Sequence, residues 1–484
     1  MGSLAKPRLI VAGASGFVGK ALAPLLAERF HVVGLSRSER DGGDGFAEYR
    51  RCDLFSLKQA EQALADGEYA VYLVHNMMPS AKLTQGSFAD LDLVCADNFA
   101  RAAARAGIKQ IVFLGGLCPS GGSLSKHLES RVEVERVLAG HGVPVTTLRA
   151  GLILGGAGSS FQIMTRLVHR LPMMVCPRWT NTRTQAVALR DVVQLLDYVV
   201  GRPDSYARVY DVSAPDVVTY REMMQITAEA LEKRRFFLPS RFLSPGLSRL
   251  WVSLVTGAPR ALVAPLVQSL KHEMVAQNST LADEAGLIRT STREAIALAI
   301  AAQDGGVPHA FRGPSGSDSQ RLVRSVQRMR LPEGWTAEHA ALEYLRWLPR
   351  YLSFLIRVRS DDSDGFSFVL LPFGLTLLTL KRSPARSSAD RQLFFVAGGV
   401  LAKPNNRARF ELRQVLGGRT LLTMVHDYEP RLPWVLYVCT QALFHQWLMH
   451  RFAVHLSCGP RQKNTDSPIP VQGPIGPTGR EARM

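Results

Sequence analysis

A short apolar run, Arg8-Leu9-Ile10-Val11-Ala12, passes directly into Gly13-Ala14-Ser15-Gly16-Phe17-Val18-Gly19. That junction constrains the fold more tightly than any other segment. Three glycines at this spacing suit a tight turn at Gly13, a close backbone approach at Gly16, and a helix packed against the strand at Gly19. The helix that follows carries Val18, Leu22, Leu25 and Leu26 on one face. Strand, glycine turn and amphipathic helix together predict a dinucleotide site, with the pyrophosphate on backbone N–H groups at the helix N-terminus. Gly13, Ser15, Gly16, Phe17, Val18 and Gly19 are its expected contacts.

A chain of 484 residues exceeds one ordinary core, so two or three folded units are expected. The composition, 46% hydrophobic and 20% charged, is globular. The net charge of +17 fits an acidic partner such as a phosphate cofactor or an anionic lipid surface, and equally fits a basic proteome. Nucleic acid is disfavoured, because the basic residues are scattered without aromatic residues placed to stack bases. The six cysteines are dispersed, with no pair at metal-ligand spacing, so neither a zinc site nor a disulfide scaffold is expected and a reducing cytoplasm fits. The first strand begins within eight residues of the start, leaving no room for a signal peptide. Residues 432–449 lack formal charge but are interrupted by Thr440, Gln441, His445 and Gln446, which favours a buried helix over a membrane span.

Apolar runs at 31–35, 70–74, 110–115 and 145–149 read as strands buried on both faces, alternating with helices at 91–106 and 129–138. This alternation predicts an α/β fold, a Rossmann-type doubly wound parallel sheet. Residues 1–302 form that unit, with a small helical lobe at 201–302. A Gly/Pro/Ser-rich linker follows at 303–320, and then an α+β domain at 321–457. Its elements are a helix at 337–347, five strand-like runs (366–371, 375–380, 393–401, 408–415 and 419–425), and a long helix after Pro433. Residues 458–484, rich in Pro and Gly, read as a disordered tail.

The end of the second strand selects between nicotinamide cofactors: an acid there bonds the ribose hydroxyls, and an arginine accommodates the extra phosphate. Here it reads Gly34-Leu35-Ser36-Arg37, which favours NADP over NAD and makes Arg37 the selecting residue. Asp53-Leu54 is placed to meet the adenine ring.

The glycine turn, the Asp53-Leu54 pair and the stretch Tyr72-Leu73-Val74-His75-Asn76-Met77 resemble the short-chain dehydrogenase/reductase superfamily. The likeness is to its extended and atypical branches, including NmrA-like proteins and the nucleotide-holding accessory subunit of respiratory complex I. Further runs, among them His127-Leu128-Glu129-Ser130-Arg131, Pro177-Arg178-Trp179, Ser325-Val326-Gln327-Arg328-Met329 and Leu432-Pro433-Trp434, resemble a bacterial subgroup fused to a C-terminal domain of unknown function.

The resemblance implies Val74 and His75 as cofactor contacts, Asn98 as a site-stabilising residue, and Ala150-Gly151 as small residues beside the nicotinamide. Active superfamily members use a Tyr-x-x-x-Lys motif and a serine. In that register this chain reads His127 for the tyrosine, Arg131 for the lysine, and Gly115 or Gly116 for the serine. Two readings follow. Either His127 donates the proton while Arg131 holds the ribose, or both only clasp the cofactor, since arginine cannot shuttle protons. Arg166, Arg170, Arg178, Arg183 and Arg190 fall in an acid-free stretch and would make either an anion-binding mouth or a solvated surface.

The C-terminal order of strands and terminal helix is similar to helix-grip domains, which enclose a hydrophobic ligand. Trp434, Tyr437, Phe444 and Trp447 are expected in its core, and His445, His450 and His455 do not share a helix face for metal. The expected function is an NADPH-dependent oxidoreductase acting on a carbonyl or alcohol in a hydrophobic or anionic substrate. The alternative is a non-catalytic NADPH-binding sensor or assembly scaffold. A third reading sets the basic face peripherally on the inner face of a membrane and rests on charge alone.

Overall fold

The computed structural model describes residues 5–75, 83–119, 124–240, 252–259, 263, 267–303, 322–361, 364–371, 373–403, 405 and 407–459. Asn76, Met77, linker residues 304–320 and the tail from residue 460 lie outside the described residues.

The N-terminal part is built on β1 (Arg8–Ala12), β2 (His31–Ser36), β3 (Glu48–Arg51), β4 (Tyr69–Tyr72), β6 (Gln110–Gly116), β7 (Val145–Ala150) and β8 (Val209–Val212). These strands form one parallel seven-stranded sheet in the order β8-β7-β6-β4-β1-β2-β3. The chain reverses direction across the sheet at β1 and β4, the switch point where such folds place their ligands.

Strand side chains alternate between two cores, as a two-residue period requires. Ile10 and Ala12 face α2 (Leu57–Leu64), α3 (Phe88–Ala106) and α4 (Lys126–Ala139), while Leu9 and Val11 face α1 (Phe17–Leu26) and α6 (Leu189–Val199). Helix α3 begins at Ser87, whose hydroxyl accepts from the Asp90 N–H, and stops at Gly107 in the left-handed conformation.

The small lobe comprises α5 (Ser159–Arg170), α7 (Tyr220–Ala230) and α8 (Thr292–Ala301), with strands Met173–Pro177 and Phe236–Ser240 paired in parallel. The arginines expected in either an anion-binding mouth or a solvated surface are partly consumed here. Arg166 donates to the Thr256 carbonyl at 2.9 Å, Arg170 to the Val255 carbonyl, and Arg190 to Thr290 and Glu294, each at 2.8 Å.

The C-terminal part contains β9 (Val323–Arg330), β10 (Ile356–Asp361), β11 (Gly365–Leu370), β12 (Leu375–Arg382), β13 (Arg391–Gly398), β14 (Arg409–Val415) and β15 (Thr420–Tyr428). Two of these strands were not expected. Val323–Arg330 and Ile356–Asp361 intersperse arginines and other polar residues among their apolar ones, so neither contains an apolar run. The eighth strand of this sheet comes from the N-terminal part. Segment β5 (Leu83–Gln85) pairs in parallel with β9 from Leu83↔Val323 to Gln85↔Ser325, giving the order β10-β11-β12-β13-β14-β15-β9-β5.

One face of the sheet packs on α9 (Ala337–Tyr351) and α11 (Gln441–Ser457). Aromatic rings fill the space between: Tyr344 lies 5.8 Å from Phe410 and 5.0 Å from Phe452, and Trp347 lies 5.3 Å from Phe452. The other face carries Val326, Val415, Leu422 and Met424 into the same core as Phe99 and Ala100 of α3. The two parts therefore share a hydrophobic core as well as a sheet.

An ionic cluster crosses that face. The Arg413 side chain is 1% exposed and donates to Asp97 at 2.8 Å, to Asn98 at 2.6 Å and to Glu411 at 2.9 Å. Asp97 also accepts from Arg101 and His141, each at 2.8 Å, and Glu411 accepts from Arg391 at 2.6 Å. Burial alone would raise the Asp97 and Glu411 pKa values. His141, Arg413 and Arg101 around Asp97, and Arg413, His426 and Arg391 around Glu411, hold both carboxyls well below the usual range.

Two expectations follow. Arg413→Met removes the cation shared by two buried carboxylates and should cost about 3–5 kcal/mol in urea unfolding. Breaking the exposed Arg105–Glu61 pair should cost under about 1 kcal/mol. The second concerns pH. Burial, aided by Arg409, lowers the His426 pKa to about 4. Between its unfolded value of about 6.5 and the native value, the unfolded chain binds a proton that the native state refuses, so stability falls as pH falls. The depressed carboxylates contribute only at more acid pH. His426→Gln should therefore flatten the fall in the thermal midpoint between pH 7 and 5.

Candidate functional site

The site begins where β1 turns into α1. Gly13 has φ +88°, and a Cβ there would stand 3.0 Å from the Leu73 backbone on β4's exit. Gly19, one turn into α1, would put a Cβ 2.6 Å from the Gly13 carbonyl oxygen and 2.9 Å from the Ala14 Cα. Both contacts are with backbone and cannot be relieved by rotating a side chain. Gly16 is the N-cap and supplies no side-chain hydrogen bond, so the first-turn N–H groups and the positive end of the helix dipole face outward uncapped. The glycines let turn and helix close tightly on each other and leave the first-turn N–H groups open to an anion.

From this turn a cleft of about 250 Å³ runs along the carboxyl ends of the strands. It is lined in turn by Ser15, by Ser36 and Arg37 at the end of β2, by Asp53 and Leu54 after β3, and by Val74 and His75 after β4. Of the residues singled out from sequence, Gly13, Ser15, Gly16, Arg37, Asp53, Leu54, Val74 and His75 thus meet on one surface. Phe17, Val18 and Gly19 form the helix start behind it.

Other expected contacts have different surroundings. Asn98 is completely buried in α3, donates to the Leu54 carbonyl at 2.8 Å, and accepts from Arg413 at 2.6 Å. It supports the floor of the cleft and the joint with the C-terminal sheet. Ala150 and Gly151 follow β7; a Cβ on Gly151 would meet the Gln185 carbonyl at 2.4 Å, so glycine is needed there for packing.

Asp53 is anchored by a residue from the far part of the chain. Its carboxylate accepts from Arg324 at 2.5 Å and from the Phe55 N–H at 3.1 Å, and Arg324 also bonds Asp427 at 3.0 Å. Burial alone would raise the Asp53 pKa, but Arg324 above all, with Phe55 and Arg37, keeps it lowered. The Asp53 end of the cleft is therefore braced by β9 and β15.

At the other end lies a histidine pair. His75 Nδ1 sits 2.9 Å from Asp92 of α3, whose side chain is 2% exposed. The His75 Nε2 is buried and, among the described residues, meets no hydrogen-bond partner. His127 lies beside it, ring centroids 5.1 Å apart. Burial, together with His75 and the Arg131 guanidinium beside it, pushes the His127 pKa down to about 4, so it is neutral at pH 7. Arg131 is buried; it donates to the Leu114 carbonyl at 2.6 Å and approaches the Val74 carbonyl and His75 Nδ1, each at 3.5 Å. It ties β6 to the end of β4. The Asp92 partner of His75 went unrecognised in the sequence, since an acid within an apolar helix announces nothing by spacing alone.

Gly19→Ala should lower stability by about 1–3 kcal/mol, since the clash is with fixed backbone. Gly116→Ala meets only the Arg131 Cγ at 3.9 Å and should be tolerated. Thermal unfolding of the two variants checks this contrast.

Residues 13–171 match a protein family described as NAD(P)H-binding. The auxiliary protein GraX of Staphylococcus aureus is 30% identical over 146 residues, which is 29% of this chain and 43% of that protein. The chain thus spans less than half the length of this relative. Among solved structures, the NADPH-dependent quinone oxidoreductase QOR2 of Escherichia coli, complexed with NADPH, is 18% identical with a TM-score of 0.48, over 60% of this chain and 98% of that one. A triphenylmethane reductase from Citrobacter sp., complexed with NADP(H), is 17% identical with a TM-score of 0.48, over 60% and 99%. A nucleoside-diphosphate-sugar epimerase from Staphylococcus aureus is 16% identical with a TM-score of 0.49, over 60% and 99%. The N-terminal part of the chain is an NAD(P)-binding Rossmann-type domain.

Proposed function

We propose that the chain is an NADPH-dependent reductase of a carbonyl compound, using His75 rather than His127 for the proton. The observation that carries this reading is the His75–Asp92 pair on the wall of the nucleotide cleft. NADPH, when bound, supplies a hydride to the carbonyl carbon. The protein's part is to hold the phosphates on the glycine cradle, receive the extra phosphate at Arg37, and deliver a proton to the carbonyl oxygen. In the imidazolium form of His75, Asp92 holds the Nδ1–H and Nε2–H is the proton given to the carbonyl oxygen, which leaves the neutral ring protonated on Nδ1 until Nε2 takes up another proton after product leaves. A neutral His127 held at about 4 makes a poor donor at pH 7 and instead packs His75 in place. Arg131 fixes the Val74–His75 backbone and carries no proton.

A second reading is favoured by the Asp53–Arg324–Asp427 bridge. It ties the adenine end of the cleft to the C-terminal sheet, so a bound nucleotide would report to that sheet, as a non-catalytic sensor or scaffold requires.

The test is thermal unfolding with NADPH and with NADH, followed by NADPH oxidation in the presence of small quinones and aldehydes. NADPH should raise the midpoint by more than NADH does, and Arg37→Ala should erase the difference. His75→Phe should reduce turnover by about 100-fold or more while leaving the NADPH shift intact, whereas His127→Phe should cost far less. A shift with no oxidation of any acceptor favours the sensor. No shift with either nucleotide overturns both readings.

A further inference from the structure

The sequence places Trp434, Tyr437, Phe444 and Trp447 in the C-terminal core. The structure buries Tyr437 but leaves Phe444 42% and Trp447 40% exposed, which corrects that expectation. The reason lies in α11, which carries apolar residues on its outer side as well as on the side that faces the sheet. Ala442, Leu448, Met449, Phe452 and Leu456 satisfy the core, and Leu443, Phe444, Trp447 and Val454 are left largely exposed on the outer side.

These side chains are part of a larger surface. Tyr351, at the end of α9, stacks on Trp347 and lies 5.8 Å from Trp447, which lies 5.6 Å from Phe444. Just beyond Tyr351 the chain exposes Phe354 (77%), and the β11–β12 turn exposes Phe373 (79%). The two loops are joined by the Leu371 N–H to Leu355 carbonyl bond of 2.8 Å. Strand β12 meets the segment leading into α10 (Trp434–Cys439) through Leu401, whose N–H donates to Leu377 and whose carbonyl accepts from Arg431. Val435 of α10 is 71% exposed. One end of the domain therefore presents an apolar face assembled from three separated segments.

Its charge is one-sided. Residues 344–360, 365–389 and 430–459 contain nine lysines and arginines and no aspartate or glutamate. Arg350, Arg357, Arg431 and Arg451 are exposed on them, and Arg451 lies 5.9 Å from the Trp447 ring. Of the acids that flank the segments, Glu343 bonds His455 at 2.8 Å, Glu429 bonds Lys403 at 3.1 Å and Asp390 bonds Arg101 at 2.6 Å, while Asp361 and Asp364 lie at the β10–β11 turn, the end of those strands away from Phe354 and Phe373. No helix among the described residues is long and apolar enough to cross a membrane. A rim of arginines around exposed Trp, Phe and Leu is the chemistry of a surface that enters the headgroup region of an anionic bilayer without spanning it.

We propose that this face, formed by the end of α9, the β11–β12 turn, α10 and the outer side of α11, docks the protein on a bilayer containing anionic lipid. The charge complementarity selects a lipid surface over a second copy of the chain, since two such faces would oppose arginine to arginine.

The test is co-sedimentation of the full chain with vesicles of phosphatidylcholine alone and of phosphatidylcholine with 30% (roughly one lipid in three) phosphatidylglycerol. Binding should require phosphatidylglycerol and weaken with salt. Phe444→Ser with Trp447→Ser should remove it. Arg350→Glu with Arg451→Glu should weaken it on the order of 30-fold or more. Arg208→Glu with Arg234→Glu, which lowers the net charge equally but far along the chain, should leave it within about twofold; circular dichroism of each variant checks folding. Equal loss from the distant pair, or unimpaired binding after Phe444→Ser with Trp447→Ser, overturns the proposal. So does a dimer in solution that the serine pair dissociates, which would assign the face to a second copy.

Discussion

Arg413 is the charge on which the rest of the structure depends. A guanidinium removed from water is tolerated only if each of its donors finds an acceptor and its charge is met. The acceptors come from two ends of the sequence: Asp97 and Asn98 from α3, and Glu411 from its own strand. Because α3 also carries Asp92, the helix that receives the C-terminal sheet is the one that orients His75. Asn98 in turn holds the Leu54 carbonyl on the cleft floor. Binding surface and domain joint are thus two sides of a single helix.

The glycine turn, the parallel sheet and the line of residues from Ser15 to His75 were legible because they obey local rules. A strand buried on both faces reads as an apolar run, and a phosphate cradle needs glycines at fixed spacing. Whatever depends on distant partners was not legible. Asp53 reads as an adenine contact, yet its carboxylate is also held by Arg324, hundreds of residues later. Strand Leu83–Gln85 is three residues long and polar at two of them, so nothing local marks it as the edge of a second sheet. Strands Val323–Arg330 and Ile356–Asp361 were missed because arginines interspersed along them disguise a strand as a polar segment.

The aromatic residues of α11 show the opposite error. Spacing near a helical repeat places Phe444 and Trp447 on the core, but α11 has more apolar residues than the sheet can cover. Composition predicts burial only when there is enough partner surface to bury against. Likewise, the arginines of α5 and its neighbours counted as free charge in the sequence, whereas Arg166 and Arg190 are spent on carbonyl and hydroxyl acceptors within the lobe.

The borrowed strand also bears on how the chain is made. Segments of a protein fold as they are synthesised, from the N-terminus onward. The Rossmann sheet is complete once Val212 has been made, but α3 then holds Asp97 beside an empty face, and Leu83–Gln85 has no neighbour to pair with. The partners for both arrive with β9, β14 and β15, the last of which ends at Tyr428. The nucleotide-binding half is therefore obliged to wait, with the carboxylate of Asp97 in water, until β15 has been made.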